Sequence, residues 1–211
     1  MTTPEPLHQL VRASRLGGLP VVAIDGGEDV AEIRDIVFDG DHHRLVGFTL
    51  NKRGWFRGRL RQSLDASAVH AIGPDAVMVR AETDLTATDD APAPLSDPAA
   101  RRKVLGVRVL SADGTELGRV SDMVVSTGAR PEAVGYVVDA GDGDVYVPIS
   151  AELALSDEYL LLPASANAFI NDDLAGFGAS VERYRRNFDA DLETVHQPDE
   201  GPEERPDERA P

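Results

Sequence analysis

The sequence predicts a mainly β protein: two small antiparallel β-barrels joined by a linker, followed by a C-terminal amphipathic α-helix. Two observations carry that prediction. The first is a pair of look-alike segments, PVVAIDGGEDVAEIRDIVFD (20–39) with RLVGFTL (44–50), and RVLSADGTELGRVSDMVVS (108–126) with EAVGYVV (132–138). Gly27 matches Gly114, Asp35 matches Asp122, and Gly47-Phe48 matches Gly135-Tyr136. A period near 88 residues is too long for a solenoid repeat and implies duplication of a whole small domain. The second is a change of period at the C-terminal end, where apolar residues fall into helical spacing.

Within each copy the elements follow in order. Val21, Val22 and Ile24 precede the turn Asp25-Gly26-Gly27; Val107, Val109 and Leu110 precede Ala112-Asp113-Gly114. Asp-Gly and Gly-Gly between β-branched runs predict hairpins, because such residues adopt positive φ at little cost. Ile33–Phe38 and Val120–Val125 form the next strands, then Leu45–Leu50 and Val134–Val138. Each copy closes with a last strand, Ala76–Val79 or Tyr159–Leu162. Short strands at this density imply a small barrel or sandwich. The domain plan is therefore 8–85, a flexible acidic, proline-rich linker at 86–102, 103–164, a helix at 165–196 and a disordered acidic tail at 197–211. The helix rests on Ile170, Leu174, Phe177, Val181, Tyr184, Phe188, Leu192 and Val195. Its stripe has two readings, a cap on a barrel or a helix pair between molecules.

The runs LGGLPVVAIDGGEDVAEIRDIVFD…RLVGFTL and LGVRVLSADGTELGRVSDMVVS…AVGYVV resemble the PRC-barrel family, which includes the barrel of the photosynthetic reaction-centre H subunit and the C-terminal barrel of the RimM-type ribosome maturation factor. The second copy carries the pattern through Gly106, Val109, Asp113, Gly114, Leu117, Gly118, Val120, Asp122 and Gly135; the first has Ala31 where Gly118 stands. The resemblance implies a docking or assembly module with no cofactor and no catalysis of its own.

Composition narrows the function. The chain has 211 residues, 37 acidic and 21 basic, a formal charge of −16 and no cysteine. Thiol chemistry and thiolate metal sites are excluded, and the charge opposes general nucleic-acid binding. No run approaches the length of a membrane span, and MTTPEPLHQL lacks the features of a secretory signal, so a cytoplasmic location is expected. Two lysines against nineteen arginines suggest a high-GC bacterial source.

Catalytic and metal motifs are weak. His42-His43 after Asp39-Gly-Asp41 reads as a solvated hairpin, since adjacent histidines on a turn rarely converge on one ion. Asp139-Ala-Gly-Asp142-Gly-Asp144 lacks the ligand order of a calcium loop. Asp35 and Asp122 read as structural carboxylates.

The sharpest feature is the segment 51–61, which holds Lys52, Arg53, Arg57, Arg59 and Arg61 around Trp55 and Phe56, with no acid. Arg and Trp are the residues favoured at binding hot spots. One reading is a contact site for a protein partner, with a nucleic acid or ribosomal target as the alternative and a small-ligand barrel or enzyme below both. The other is a solvated hairpin whose aromatics fold back on the barrel. At the matching place the second copy has Asp139, Asp142 and Asp144, so the two segments are also expected to meet, within the chain or in a reciprocal homodimer.

Overall fold

The computed structural model describes residues 9–53, 58–97, 103–128, 130–150 and 152–195, with side chains to residue 186. Most of the described elements are strands, fourteen against two α-helices and five 3-10 turns. The first sheet runs in the order β6 (Ala71–Ile72), β7 (Val77–Val79), β2 (Pro20–Ala23), β3 (Glu28–Asp39), β4 (Arg44–Asn51), β5 (Arg59–Asp65) and β8 (Thr86–Ala87). The second runs β13 (Ala154–Leu155), β14 (Tyr159–Leu161), β9 (Arg108–Leu110), β10 (Glu116–Ser126), β11 (Glu132–Asp139) and β12 (Asp144–Pro148). The two orders are equivalent strand for strand, apart from β8. Repeated hydrophobic patterns at equal spacing have produced the same pairing twice.

Four features differ from the sequence-based plan. One is that the helix expected over 165–196 starts only at Leu174, after a 3-10 helix at Ala164–Phe169. The other three concern the sheets and the linker. First, the sheets are not wholly antiparallel: β7 runs parallel to β2, and β14 parallel to β9. The chain crosses from β5 to the far edge of the sheet, in the first lobe through a 3-10 turn at Ala66–Ala68, and β6 then forms a hairpin with β7. Second, β1 (Leu10–Arg12) does not join the first sheet. It pairs antiparallel with β10, Leu10 opposite Ser126 and Arg12 opposite Val124. Thr127 donates to the Gln9 carbonyl from both its amide and its hydroxyl, at 2.9 and 2.8 Å. The chain therefore begins its described course on the second lobe and crosses to the first at Ala13–Leu16. Third, the residues that read as a linker are seated on the first lobe over Thr86–Asp97. β8 pairs with β5, and helix α1 (Ala93–Ser96) buries Leu95 completely against Val37 and Val46. One buried leucine holds a stretch whose composition otherwise argues for disorder.

Helix α2 (Leu174–Val195) plays the corresponding part in the second lobe. It begins at Asp173, whose carboxylate accepts from the Gly176 amide at 2.8 Å, an N-cap. Phe177 and Val181 are buried against Val124, Val134, Val137 and Tyr146. The described part of the stripe thus caps its own sheet. Arg185 pairs with Glu132 on β11 at 2.7 Å. Val37 and Val46 under Leu95 are the repeat counterparts of Val124 and Val134 under Phe177, so each lobe covers the same valine patch with the segment that follows it.

Close approach explains the repeated glycines. A Cβ on Gly135 would lie 2.3 Å from Phe177 Cζ, and one on Gly47 would lie 2.2 Å from the Leu64 carbonyl oxygen. The inner faces of both sheets share one continuous core, from Phe48, Leu50 and Leu64 to Met123, Tyr136 and Val138. No described helix is long and apolar enough to cross a membrane.

Candidate functional site

Strand β5 builds the candidate site. Its residues alternate across the sheet: Leu60 packs against the core, while Arg59 and Arg61 are exposed on the outer face. The hairpin that joins β4 to β5 is closed at its base by the Lys52 amide donating to the Gly58 carbonyl at 2.8 Å. Lys52 is exposed beside it. Arg59 and Arg61 line a groove of about 560 Å³ with Thr88, Asp89 and Ser96. The groove therefore lies between β5, the end of β8 and α1.

Arg53 has a different role. Its guanidinium pairs with Asp29 and, at 3.4 Å, with Glu32, both on β3 of the same lobe. This contact turns one of the five basic groups back onto the sheet. Trp55, Phe56 and Arg57 lie outside the described residues.

The acidic segment of the second lobe is a tight β11–β12 turn. Asp139 accepts from the Gly141 amide at 2.9 Å, and the Ala140 amide donates to Gly143 at 3.0 Å. Asp142 is exposed. Asp144 pairs with Arg12 at 2.7 Å, and Arg12 also donates to the Tyr146 hydroxyl. The Tyr146 hydrogen bond, with Asp144, raises the Arg12 pKa above its ordinary value, although burial opposes the shift. Among the described residues, then, the basic and acidic segments do not meet. The cation that neutralises Asp144 comes from β1 instead.

The other groups singled out in the sequence make structural contacts, within a lobe or between lobes. Asp122 accepts from the Ser14 amide at 3.2 Å, from the Ser14 hydroxyl, and from the Met123 amide at 2.8 Å. Asp35 accepts from the Thr49 hydroxyl at 3.0 Å. His42 is exposed and bonds Asp39 at 2.8 Å, as a solvated turn would have it. His43 does not follow that expectation. It is half-buried, with Nδ1 2.6 Å from the Tyr136 hydroxyl and Nε2 3.3 Å from the Leu153 carbonyl. Burial lowers its pKa below the ordinary value. Because it bonds across the lobes, no local pattern in the sequence could have revealed this contact. Among the described residues, no three His, Asp or Glu groups come together as a metal site.

Two aspects of the site are not apparent in the sequence, Ser96 and the Thr88-Asp89 corner. Both belong to the stretch whose composition predicts a linker; the β5–β8 pairing places the Thr88-Asp89 corner and the burial of Leu95 places Ser96 beside β5.

A search of curated proteins returned no match to the chain. Its N-terminal part does match a known family, over a span that includes β2 to β7 and the basic hairpin. The chain carries a PRC-barrel domain at residues 8–85.

Proposed function

We propose that this protein is a non-enzymatic adaptor: two PRC-type barrels in tandem, joined through a common core, that recognise a protein partner through the basic outer face of β5. The tandem reading is supported by the equivalent strand order of the two sheets, by the parallel closing pair in each, and by Gly47 and Gly135 at matched positions of close approach.

The observation that carries the functional reading is the exposure of Arg59 and Arg61, two residues of the matched domain, over a groove completed by Thr88, Asp89 and Ser96 in a strongly acidic chain. Arg53 is held by Asp29 and Glu32, and Asp144 by Arg12, so these charges serve the fold. Arg59 and Arg61 have no ion pair among the described residues. Arginine is suited to such a role because its planar guanidinium bonds carboxylates in a bidentate way.

The test is affinity purification from cells that express the protein naturally, comparing wild type with Arg59→Glu/Arg61→Glu. A defined protein that co-purifies through nuclease treatment and is lost from the double variant supports the adaptor. Partner loss on nuclease treatment would shift the reading to a nucleic-acid or ribosome-associated factor. An unchanged set of co-purifying proteins in the variant would remove the site from consideration.

A further inference from the structure

Strand β5 is paired unequally on its two sides. β4 pairs with it at Arg59 and again from Ser63 to Asp65, with a bulge over Leu60–Gln62, whereas β8 covers only Gln62 and Ser63. Past Ala87 the chain leaves the sheet for a 3-10 turn at Thr88–Asp90. Among the described residues, no backbone pairs with the outer edge of β5 along Arg59, Leu60 and Arg61. The groove bounded by Arg59, Arg61, Thr88, Asp89 and Ser96 occupies the place where β8 would have continued. Unpaired strand edges are templates for further pairing, and proteins normally cover or blunt them. The second lobe illustrates the covering: Asn171 bridges Tyr146 on the outer edge of β12, with bonds of 2.7 and 3.1 Å.

We propose that this open edge is a docking slot for an extended acidic peptide of a partner protein, which continues the line of β8 along β5 and sets its carboxylates against Arg59 and Arg61. This inference rests on the adaptor reading and specifies the partner's chemistry and conformation. Main-chain bonds to an edge strand supply affinity in such complexes, and side chains on alternate positions supply selectivity. Arg59 and Arg61 are two residues apart, so they match acidic side chains at alternate positions of the added strand. Asp89 lies at the β8 side of the groove, where the peptide must be neutral or basic.

The net charge of −16 does not repel the peptide from the slot, because residues 14–85 carry nine bases against eleven acids and charges beyond about 8 Å are largely screened at physiological salt. The chain's own acidic tail is a poor occupant. Pro198, Pro202, Pro206 and Pro211 interrupt it so that no more than four successive residues keep a backbone donor.

The experiment uses the full chain and a capped, fluorescently labelled octapeptide of alternating glutamate and valine, followed by anisotropy. Controls are the same peptide N-methylated on alternate amides, in both phases, and an eight-nucleotide oligothymidylate. The unmodified peptide is expected to bind at least tenfold more tightly than one N-methylated phase and to slow amide exchange at 59–61. Arg59→Glu/Arg61→Glu, checked for folding by circular dichroism, should weaken it at least tenfold. Absence of peptide binding, equal binding of both N-methylated forms, or tighter binding of the oligonucleotide would each overturn the slot. So would a tenfold gain in peptide affinity on deleting 197–211, which would assign the edge to the tail. A partner that co-purifies through Arg59 and Arg61 while backbone methylation has no effect would leave the adaptor standing and the slot refuted. Peptide binding as expected with no co-purifying partner would do the reverse.

Discussion

Gly135→Ala tests whether α2 is locked onto the second lobe at the distance the structure shows. The added Cβ would stand 2.3 Å from Phe177 Cζ and 2.7 Å from the Val147 carbonyl oxygen, where carbon atoms normally rest about 3.5–4.0 Å apart. Neither neighbour can yield freely. Phe177 is fully buried among Val124, Val134, Val137 and Val181, with its ring centroid 5.7 Å from that of Tyr146. Val147 belongs to the β11–β12 ladder opposite Tyr136. Overpacking of this kind costs about 1–3 kcal/mol, and the gain of roughly 0.5–1 kcal/mol from replacing glycine in a strand offsets only part of it. The net cost is at most about 2.5 kcal/mol, so for a chain of this size the melting temperature should fall by up to roughly 10 °C. Urea unfolding followed by circular dichroism would measure the free energies of Gly135→Ala, Phe177→Ala and the double variant. Phe177→Ala alone should cost about 3–5 kcal/mol. Removing the ring takes away two of the three closest contacts and leaves Val147, so Gly135→Ala should cost at least ~1 kcal/mol less in that background. Gly47→Ala is the internal control: its clash is with the Leu64 backbone, so it should destabilise yet add independently to Phe177→Ala. Additivity of Gly135→Ala with Phe177→Ala within ~0.5 kcal/mol would refute the packing argument.

Other expectations concern the docked stretch 86–97 and the contacts of Asp122 and His43. Leu95→Ala should destabilise by about 2–5 kcal/mol, as a core substitution does, and expose 86–97 to limited proteolysis; a cost below ~0.5 kcal/mol would return that stretch to the status of a linker. Asp122→Ala removes the acceptor for Ser14 and Met123 and should cost about 0.5–1.5 kcal/mol by urea unfolding, with Ser14→Ala costing less in the Asp122→Ala background than in wild type. His43 gives a pH signature. Burial lowers its folded-state pKa below the ordinary 6.5, so the unfolded chain takes up the proton first as pH falls. Its contribution to stability is complete above pH 6.5 and is lost as pH drops toward the folded value. His43→Gln should therefore flatten stability measured between pH 7 and 5, and an unaltered slope would argue against the buried neutral imidazole.

Much of the architecture is legible in the amino-acid order. The turn glycines Gly27 and Gly114, the β-branched runs around Ile33–Phe38 and Val120–Val125, and the helical spacing from Leu174 to Tyr184 are local signals. Each depends on conformational preference or on which face of an element is apolar. The remaining elements carry no such signal. β1 has only three residues and is stabilised by pairing with β10, more than a hundred positions away. β8 and α1 lie in a stretch of prolines and acids where only Leu95 carries an apolar side chain large enough to anchor it. The basic segment stands out by charge, but its division into a structural Arg53 and an outward Arg59 and Arg61 depends on the neighbours the fold supplies.

From the amino-acid order alone come the doubled strand pattern, the C-terminal amphipathic helix and the location of the five basic residues in 51–61. These follow from periodicity and composition, which act over a few residues. The tertiary structure decided the exchange of β1 onto the second sheet, the docking of the expected linker onto the first, the His43–Tyr136 contact and the open edge of β5. All four depend on pairing between residues distant in the chain, where register and burial choose among partners that no local pattern distinguishes.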